Sequence, residues 1–251
     1  MAKVFIFCPA FRGILYEDTA QSLEQLGHAL MNKGIPAFSS RLSWPDIEEL
    51  RNAILSFWYD MSDASHLLFV DSDMVFKPDV VLDMLAFNEP LVGAVYRKRS
   101  MELDWAASAL PNPELRGNAF LELEGVGTGL MLIRRDAVRM LIDAFPDLIY
   151  PHVTLTNLRA AGLTRTLGFF DQMRVKEGKV AEDISFCRRF REAGGRVWGA
   201  IAHEIGHIGE HNFSGCFARD GRVKKEDNGE EDSGGSAARA HDGSSIGSTA
   251  A

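Results

Sequence analysis

The chain has 251 residues, 46% of them hydrophobic and 25% charged, and carries a net charge of −8 at neutral pH. This is the composition of a globular α/β-sized domain with a sizeable core, and its acidic balance argues against non-specific binding to nucleic-acid phosphates. Cys8, Cys187 and Cys216 form no CxxC pair, no apolar run approaches the ~20 residues of a membrane span, and the N-terminus lacks the features of a cleavable leader, so a reducing, cytoplasmic setting is expected.

The predicted elements alternate. Val4 to Cys8 is a first strand closed by Pro9, and Leu23, Leu26, Leu30 and Met31 recur at helical spacing before Gly34. Ile35 to Phe38 reads as a short strand. A helix opening near Pro45 would turn Ile47, Leu50, Ile54, Phe57 and Met61 inward. His66 to Val70 is an apolar run of strand length, Pro78 begins a helix carrying Val81, Met84 and Leu85, and Leu91 to Tyr96 is a further strand that ends in Arg97-Lys98-Arg99. The β-α-β-α-β-α-β order predicts a mainly parallel, Rossmann-like sheet flanked by helices.

Beyond it, 100–118 reads as a loop with Pro111 and Pro113. Phe120 to Val126 alternates like a half-exposed or edge strand, Gly127-Thr128-Gly129 breaks the chain, Leu130 to Ile133 is a strand, and Asp136 to Phe145 a helix. The weakly periodic stretch from Pro146 to Gly178 is expected to form a flap over the site. Glu182 to Ala193 is a helix stopped by Gly194-Gly195, and Arg196 to Ile201 the last strand. The composition of the remainder predicts a folded domain over 1–218 and a disordered tail over 219–251.

Three clusters carry chemistry. The His66 to Val70 strand runs into Asp71-Ser72-Asp73, at the strand end where open α/β sheets bind ligands. Side chains two apart on an extended chain point the same way, and two neighbouring carboxylates repel unless a cation joins them. Hard oxygen ligands suit Mg²⁺ or Mn²⁺. The second cluster, Glu182-Asp183, opens a helix. There it either caps the positive helix end or supplies a general base. The third is His203-Glu204-Ile205-Gly206-His207-Ile208-Gly209-Glu210-His211, which contains the literal zinc-protease string His203-Glu204-x-x-His207. That string needs a helix, which Gly206 and Gly209 weaken. The alternative is that one of these histidines completes a metal site with Asp71 and Asp73.

Taken in order, Cys8-Pro9-Ala10, Arg51-Asn52, Leu67 to Met74, Val126 to Gly129, Ala181 to Phe186 and His207-Ile208-Gly209 resemble the metal-dependent glycosyltransferases of the GT-A fold, over roughly residues 3 to 215. The resemblance implies a GT-A-type sheet and a nucleoside-diphosphate-sugar donor, with Mn²⁺ or Mg²⁺ on Asp71, Asp73 and His207. Asp71 could instead hold the donor ribose. It further implies Pro9, Ala10, Arg51, Asn52 and Ser72 in the nucleotide pocket, Asp183 as base beside Glu182, and Gly127, Thr128 and Gly129 at the acceptor or donor sugar. The acceptor hydroxyl could belong to a saccharide, lipid, protein or modified nucleic acid. Competing readings are a haloacid-dehalogenase-type phosphatase with Asp71 as nucleophile and Asp73 beside it, a zinc protease on His203, Glu204 and His207, and a non-catalytic sugar-binding module.

Overall fold

The computed structural model describes residues 2–176 and 178–221; of the tail expected over 219–251, residues 222–251 lie outside the described residues. Nine strands form the main sheet, in the order β2-β1-β3-β9-β5-β14-β8-β6, with β7 also on β8. They are β1 (Val4–Pro9), β2 (Ala37–Leu42), β3 (His66–Val70), β5 (Leu91–Ala94), β6 (Ala107–Ala109), β7 (Leu115–Arg116), β8 (Phe120–Val126), β9 (Leu130–Arg134) and β14 (Val197–Ala200). β1 runs parallel to β2 and β3, and β5 parallel to β14. β9 is inserted antiparallel between β3 and β5, so β2, β1, β3, β5 and β14 all point one way. This is the mixed, predominantly one-directional α/β sheet that the sequence predicts.

The strand sequences explain why the sheet is covered on both faces. β1 and β3 are buried along their whole length, and alternate residues go to different cores: Phe5, Phe7, Leu67 and Phe69 to one side, Val4, Ile6, Leu68 and Val70 to the other. Helices α1 (Glu17–Asn32) and α3 (Asp79–Phe87) supply Leu26, Leu30, Val80, Val81 and Met84 to the second face. Helices α2 (Ile47–Met61), α4 (Arg135–Ala144) and α6 (Glu182–Glu192) cover the first. At the start of α2, the Asp46 carboxylate accepts the Glu49 backbone N–H at 3.0 Å, which satisfies an otherwise orphaned donor.

Several expectations are corrected. The inward face of α2 carries Leu50, Ile54 and Trp58, with Phe57 partly buried against the same core; Ile47 and Met61, the first and last residues of the helix, are 40% and 45% exposed. The 100–118 stretch contains the short strands β6 and β7. β8 is not an edge strand, since it lies between β14 and β6.

The 146–178 stretch is not a lid. Ile149–Tyr150 (β10) pairs with Thr166–Leu167 (β11) around a short helix, α5 (Thr156–Ala160), and Arg174–Val175 (β12) pairs with Gly178–Lys179 (β13). Leu155, Leu163, Leu167, Phe169 and Phe170 are buried in the first core. The Ser56 hydroxyl accepts the Leu167 N–H at 2.7 Å and the Asn52 amide oxygen that of Phe170 at 2.8 Å. These apolar side chains and α2 anchors hold the segment down.

Nor is β14 the last strand. Beyond it, Glu204–Ile208 (β15) and Asn212–Cys216 (β16) form a small sheet with Met74–Val75 (β4), and Phe217–Asp220 (α7) carries the ordered chain past residue 218. Among the described residues, no helix is long and apolar enough to cross a membrane, and all three cysteines are free and buried.

Candidate active site

The site forms where β3 ends and the small sheet begins. Asp71 leaves β3 with its N–H bonded to the Gly129 carbonyl at 2.9 Å. Asp73 stands immediately before β4, whose ladder with β15 places Met74 opposite His207. The Ile208 N–H donates to the Asp73 carbonyl at 2.8 Å. A backbone ladder thus brings together two side chains far apart in sequence, and His207 Nε2 comes to lie 3.5 Å from Asp73 Oδ2.

The other ring nitrogen, Nδ1, is 3.0 Å from the Arg97 carbonyl, which can only accept, so Nδ1 carries the hydrogen. In the neutral ring the lone pair is then on Nε2, facing the carboxylate. A histidine oriented through its far nitrogen in this way is prepared as a metal ligand. The Tyr96 ring packs edge-on against it, with centroids 5.2 Å apart.

Asp71 takes a different part. The Arg51 guanidinium grips both its oxygens, with Nη2 at 2.8 and 3.0 Å, and its Nη1 donates to Glu182 Oε1 at the start of α6. Arg51 is 3% exposed. Burial opposes its charge, but Asp71 and Glu182 outweigh it and raise its pKa. Asp183, next along α6, is pushed above the ordinary carboxylate range, first by burial and then by the charge of Glu182. Its Oδ1 accepts the Ile184 N–H at 2.7 Å.

A cleft of about 450 Å³ opens in front of these groups. Arg51, Asp71, Ser72, Asp73 and Arg99 form its polar side, and Pro9, Phe11, Ile14, Tyr16 and Trp44 are on its apolar side. Its size and its apolar wall with few polar groups suit a small-molecule ligand.

The sequence-predicted residues divide accordingly. Pro9, Arg51, Asp71, Ser72 and Asp73 line the cleft; Glu182 and His207 stand behind it in contact with Arg51 and Asp73, and Asp183, next to Glu182, is not among the lining residues. Ala10 is buried beside the cleft, its N–H bonded to the Leu42 carbonyl. Asn52 is not in the pocket; its amide bridges Asp171 Oδ1, at 2.6 Å, and the Phe170 backbone, and so pins the 146–178 segment.

Gly127 and Gly129 face protein rather than open space, since a Cβ at either would collide with the Tyr96 hydroxyl. That hydroxyl accepts the Gly129 N–H at 3.1 Å. Thr128 is 1% exposed, and its hydroxyl has no partner among the described residues. His203 pairs with Asp83 on α3 at 2.9 Å, away from His207, and Glu204 to Ile208 is a strand, so the zinc-protease arrangement is absent.

Phe11, Ile14, Tyr16 and Trp44 escape the sequence reading as cleft residues, and Arg99 enters it only as part of the 97–99 basic run. The signal available for them is position alone, in the segments that follow the C-terminal ends of β1, β2 and β5, where the crevice of such a sheet lies.

A cation fits the donor set in part. Asp73 and His207 offer one oxygen and one imidazole nitrogen. Among the described residues no group of three or more His, Cys, Asp or Glu side chains is placed to hold a metal, so the expected set of Asp71, Asp73 and His207 is not assembled; Asp71 instead accepts from Arg51. Two protein ligands, with substrate oxygens and water for the rest, is the usual mode for Mg²⁺-like ions at phosphate sites.

Fold and site together define an α/β protein with a ligand cleft at the carboxyl ends of its strands and an acid–histidine pair at the cleft's edge. No family model and no curated protein matches the chain. Solved structures with a similar chain path include A197 from STIV, with 14% identity, a TM-score of 0.47, and 83% of this chain and 86% of that one covered. A Drosophila galactosyltransferase 7, complexed with manganese, UDP-Gal and xylobiose, has 14% identity, a TM-score of 0.47 and coverage of 92% and 82%. TarS from S. aureus, complexed with UDP-GlcNAc, has 12% identity, a TM-score of 0.38 and coverage of 78% and 55%.

Proposed function

We propose that the protein is a glycosyltransferase that moves a sugar from a nucleoside-diphosphate sugar to an acceptor hydroxyl. The observation that carries this reading is the pairing of His207 Nε2 with Asp73 Oδ2 at the edge of a cleft sized for a nucleotide. It is joined by the ordered motif set that resembles GT-A glycosyltransferases.

Asp73 and His207 would hold the divalent cation, Mn²⁺ or Mg²⁺. When bound, that ion neutralises the charge developing on the departing diphosphate. Arg51 fixes Asp71 at the cleft floor, where the free faces of its carboxylate can accept from the donor ribose. Asp183 takes the proton of the acceptor hydroxyl, for which a carboxylate raised toward neutrality is suited. With Asp183 acting as base on the face opposite the leaving group, the anomeric configuration inverts; as a positioning group it is compatible with retention. Tyr96, packed between the glycines and His207, keeps water and side chains from the back of the pair. The acceptor hydroxyl belongs to a saccharide, lipid, protein or modified nucleic acid, and the free buried cysteines agree with a cytoplasmic setting.

The phosphatase alternative asks Asp71 to act as a nucleophile. Its two oxygens are held by a buried guanidinium, which makes them poorer electron donors.

The test is thermal unfolding in the presence of nucleoside diphosphates, with and without Mn²⁺. The largest stabilisation is expected when both are present, exceeding that from Mn²⁺ or the diphosphate alone, and Asp73→Ala and His207→Ala should abolish the gain. A shift with Zn²⁺ alone, or none with any diphosphate and Mn²⁺, would overturn the reading.

A further inference from the structure

Among the described residues, Arg99 is the one charged residue lining the cleft that the proposed reaction does not use. It lies in a turn closed by the Arg97–Trp105 bridge, by the Lys98 N–H on the Asp104 carbonyl at 2.9 Å, and by the Lys98–Asp104 ion pair. From there its Nη1 reaches Asp73 Oδ2 at 2.9 Å. This is the same oxygen that faces His207 Nε2. The guanidinium therefore sits where the acid and the imidazole converge. Its aliphatic stem runs close over Gly209, and a Cβ at that position would come within 3.0 Å of Arg99 Cδ. The Arg99 side chain is 52% exposed while Asp73 is 14% exposed, so the arginine is the partner free to move.

We infer that Arg99 is a built-in counter-ion that occupies the cation's place on Asp73 and passes to the diphosphate when the cation arrives. The inference rests on Asp73 and His207 being the cation ligands. A guanidinium and a dication drawn to the same carboxylate oxygen repel each other, so each weakens the other's hold on Asp73. Free cation therefore competes with Arg99 for Asp73. Once displaced, the side chain still lines the cleft. Its planar fork matches phosphate oxygens better than it matches a single carboxylate oxygen. Arg99 should thus oppose the cation alone and assist the cation with its diphosphate, which favours entry of the two together.

The experiment compares the full chain with its Arg99→Gln variant in two arms. In the first, Mn²⁺ alone is titrated and the free ion followed by electron paramagnetic resonance. Arg99→Gln should bind it about threefold to tenfold more tightly, the scale of a half-exposed ion pair and its charge. In the second, inorganic pyrophosphate is titrated calorimetrically at saturating Mn²⁺, and the variant should bind it at least about threefold more weakly. Opposite signs in the two arms are the result that establishes the role. Equal Mn²⁺ affinities, or unweakened pyrophosphate binding, would overturn it while leaving the Asp73–His207 site standing. Failure of both proteins to bind Mn²⁺ in either arm would remove that site, and this inference with it.

Discussion

Replacing Arg51 with methionine keeps the buried stem and deletes the guanidinium that joins Asp71 to Glu182. The Arg51 side chain is 4% exposed, whereas those of Asp71 and Glu182 are 27% and 17% exposed. Removing one partner of a buried ion pair costs about 3–5 kcal/mol, because the other is left charged and unpaired. Here two carboxylates are left, but both retain some water, so the lower end, about 3 kcal/mol, is expected. For a domain of this size that corresponds to a fall in Tm of roughly 6–12 °C. Arg51→Lys keeps the charge without the fork and should recover only part of the loss. Urea unfolding of the metal-free protein, with unchanged m-value, reads the difference. A loss below about 1 kcal/mol for Arg51→Met, the value of a surface pair, would refute the view that this arginine locks α6 to the end of β3.

Tyr96 and Gly127 should couple. Gly127→Ala drives a methyl into the phenol oxygen and should cost about 1–3 kcal/mol, but distinctly less in a Tyr96→Phe background; an additive double-mutant cycle would disprove the contact. Asp183→Asn should lower the transfer rate by about 10²–10⁴ with little change in stability, as measured by donor turnover. In the parent enzyme the rate should fall as pH drops through the raised pKa of Asp183, because the base must be deprotonated. Glu182→Gln removes a charge that raises that pKa, so the acid limb should move to lower pH; movement upward would count against Asp183 as base. Glu204→Ala should leave turnover nearly unchanged, since Glu204 is exposed and its contact is with Arg219; abolished activity would revive the protease reading.

What the sequence made legible were features carried by one stretch at a time. The apolar run ending in Asp71-Ser72-Asp73 and the acidic start of α6 rest on local pattern, the choice of His207 over His203 rests on the resemblance to the GT-A glycosyltransferases, and the structure brings Asp73 and His207 side by side. What stayed hidden depends on who meets whom across the fold. Asn52 has the right position for a pocket residue, but its amide is taken by Asp171 and Phe170, more than a hundred residues on. The glycines of 127–129 look like a ligand turn because nothing local reveals that Tyr96 fills the space beside them. The 146–178 stretch lacks periodicity because its apolar residues enter the core singly from irregular backbone. Nothing local sets Arg99 apart from its neighbours in the 97–99 basic run, and only the fold shows that it reaches the acid–histidine pair.

The β4–β15 ladder also sets a timetable for the growing polypeptide. Asp73 is synthesised early and His207 close to the end of the described domain, and they become neighbours only when β15 zips onto β4. An unfinished chain emerging from the ribosome can lay down most of its large sheet while lacking half of the acid–histidine pair. Completion of the pair is thereby withheld until the two-residue strand β4 has found its late partner.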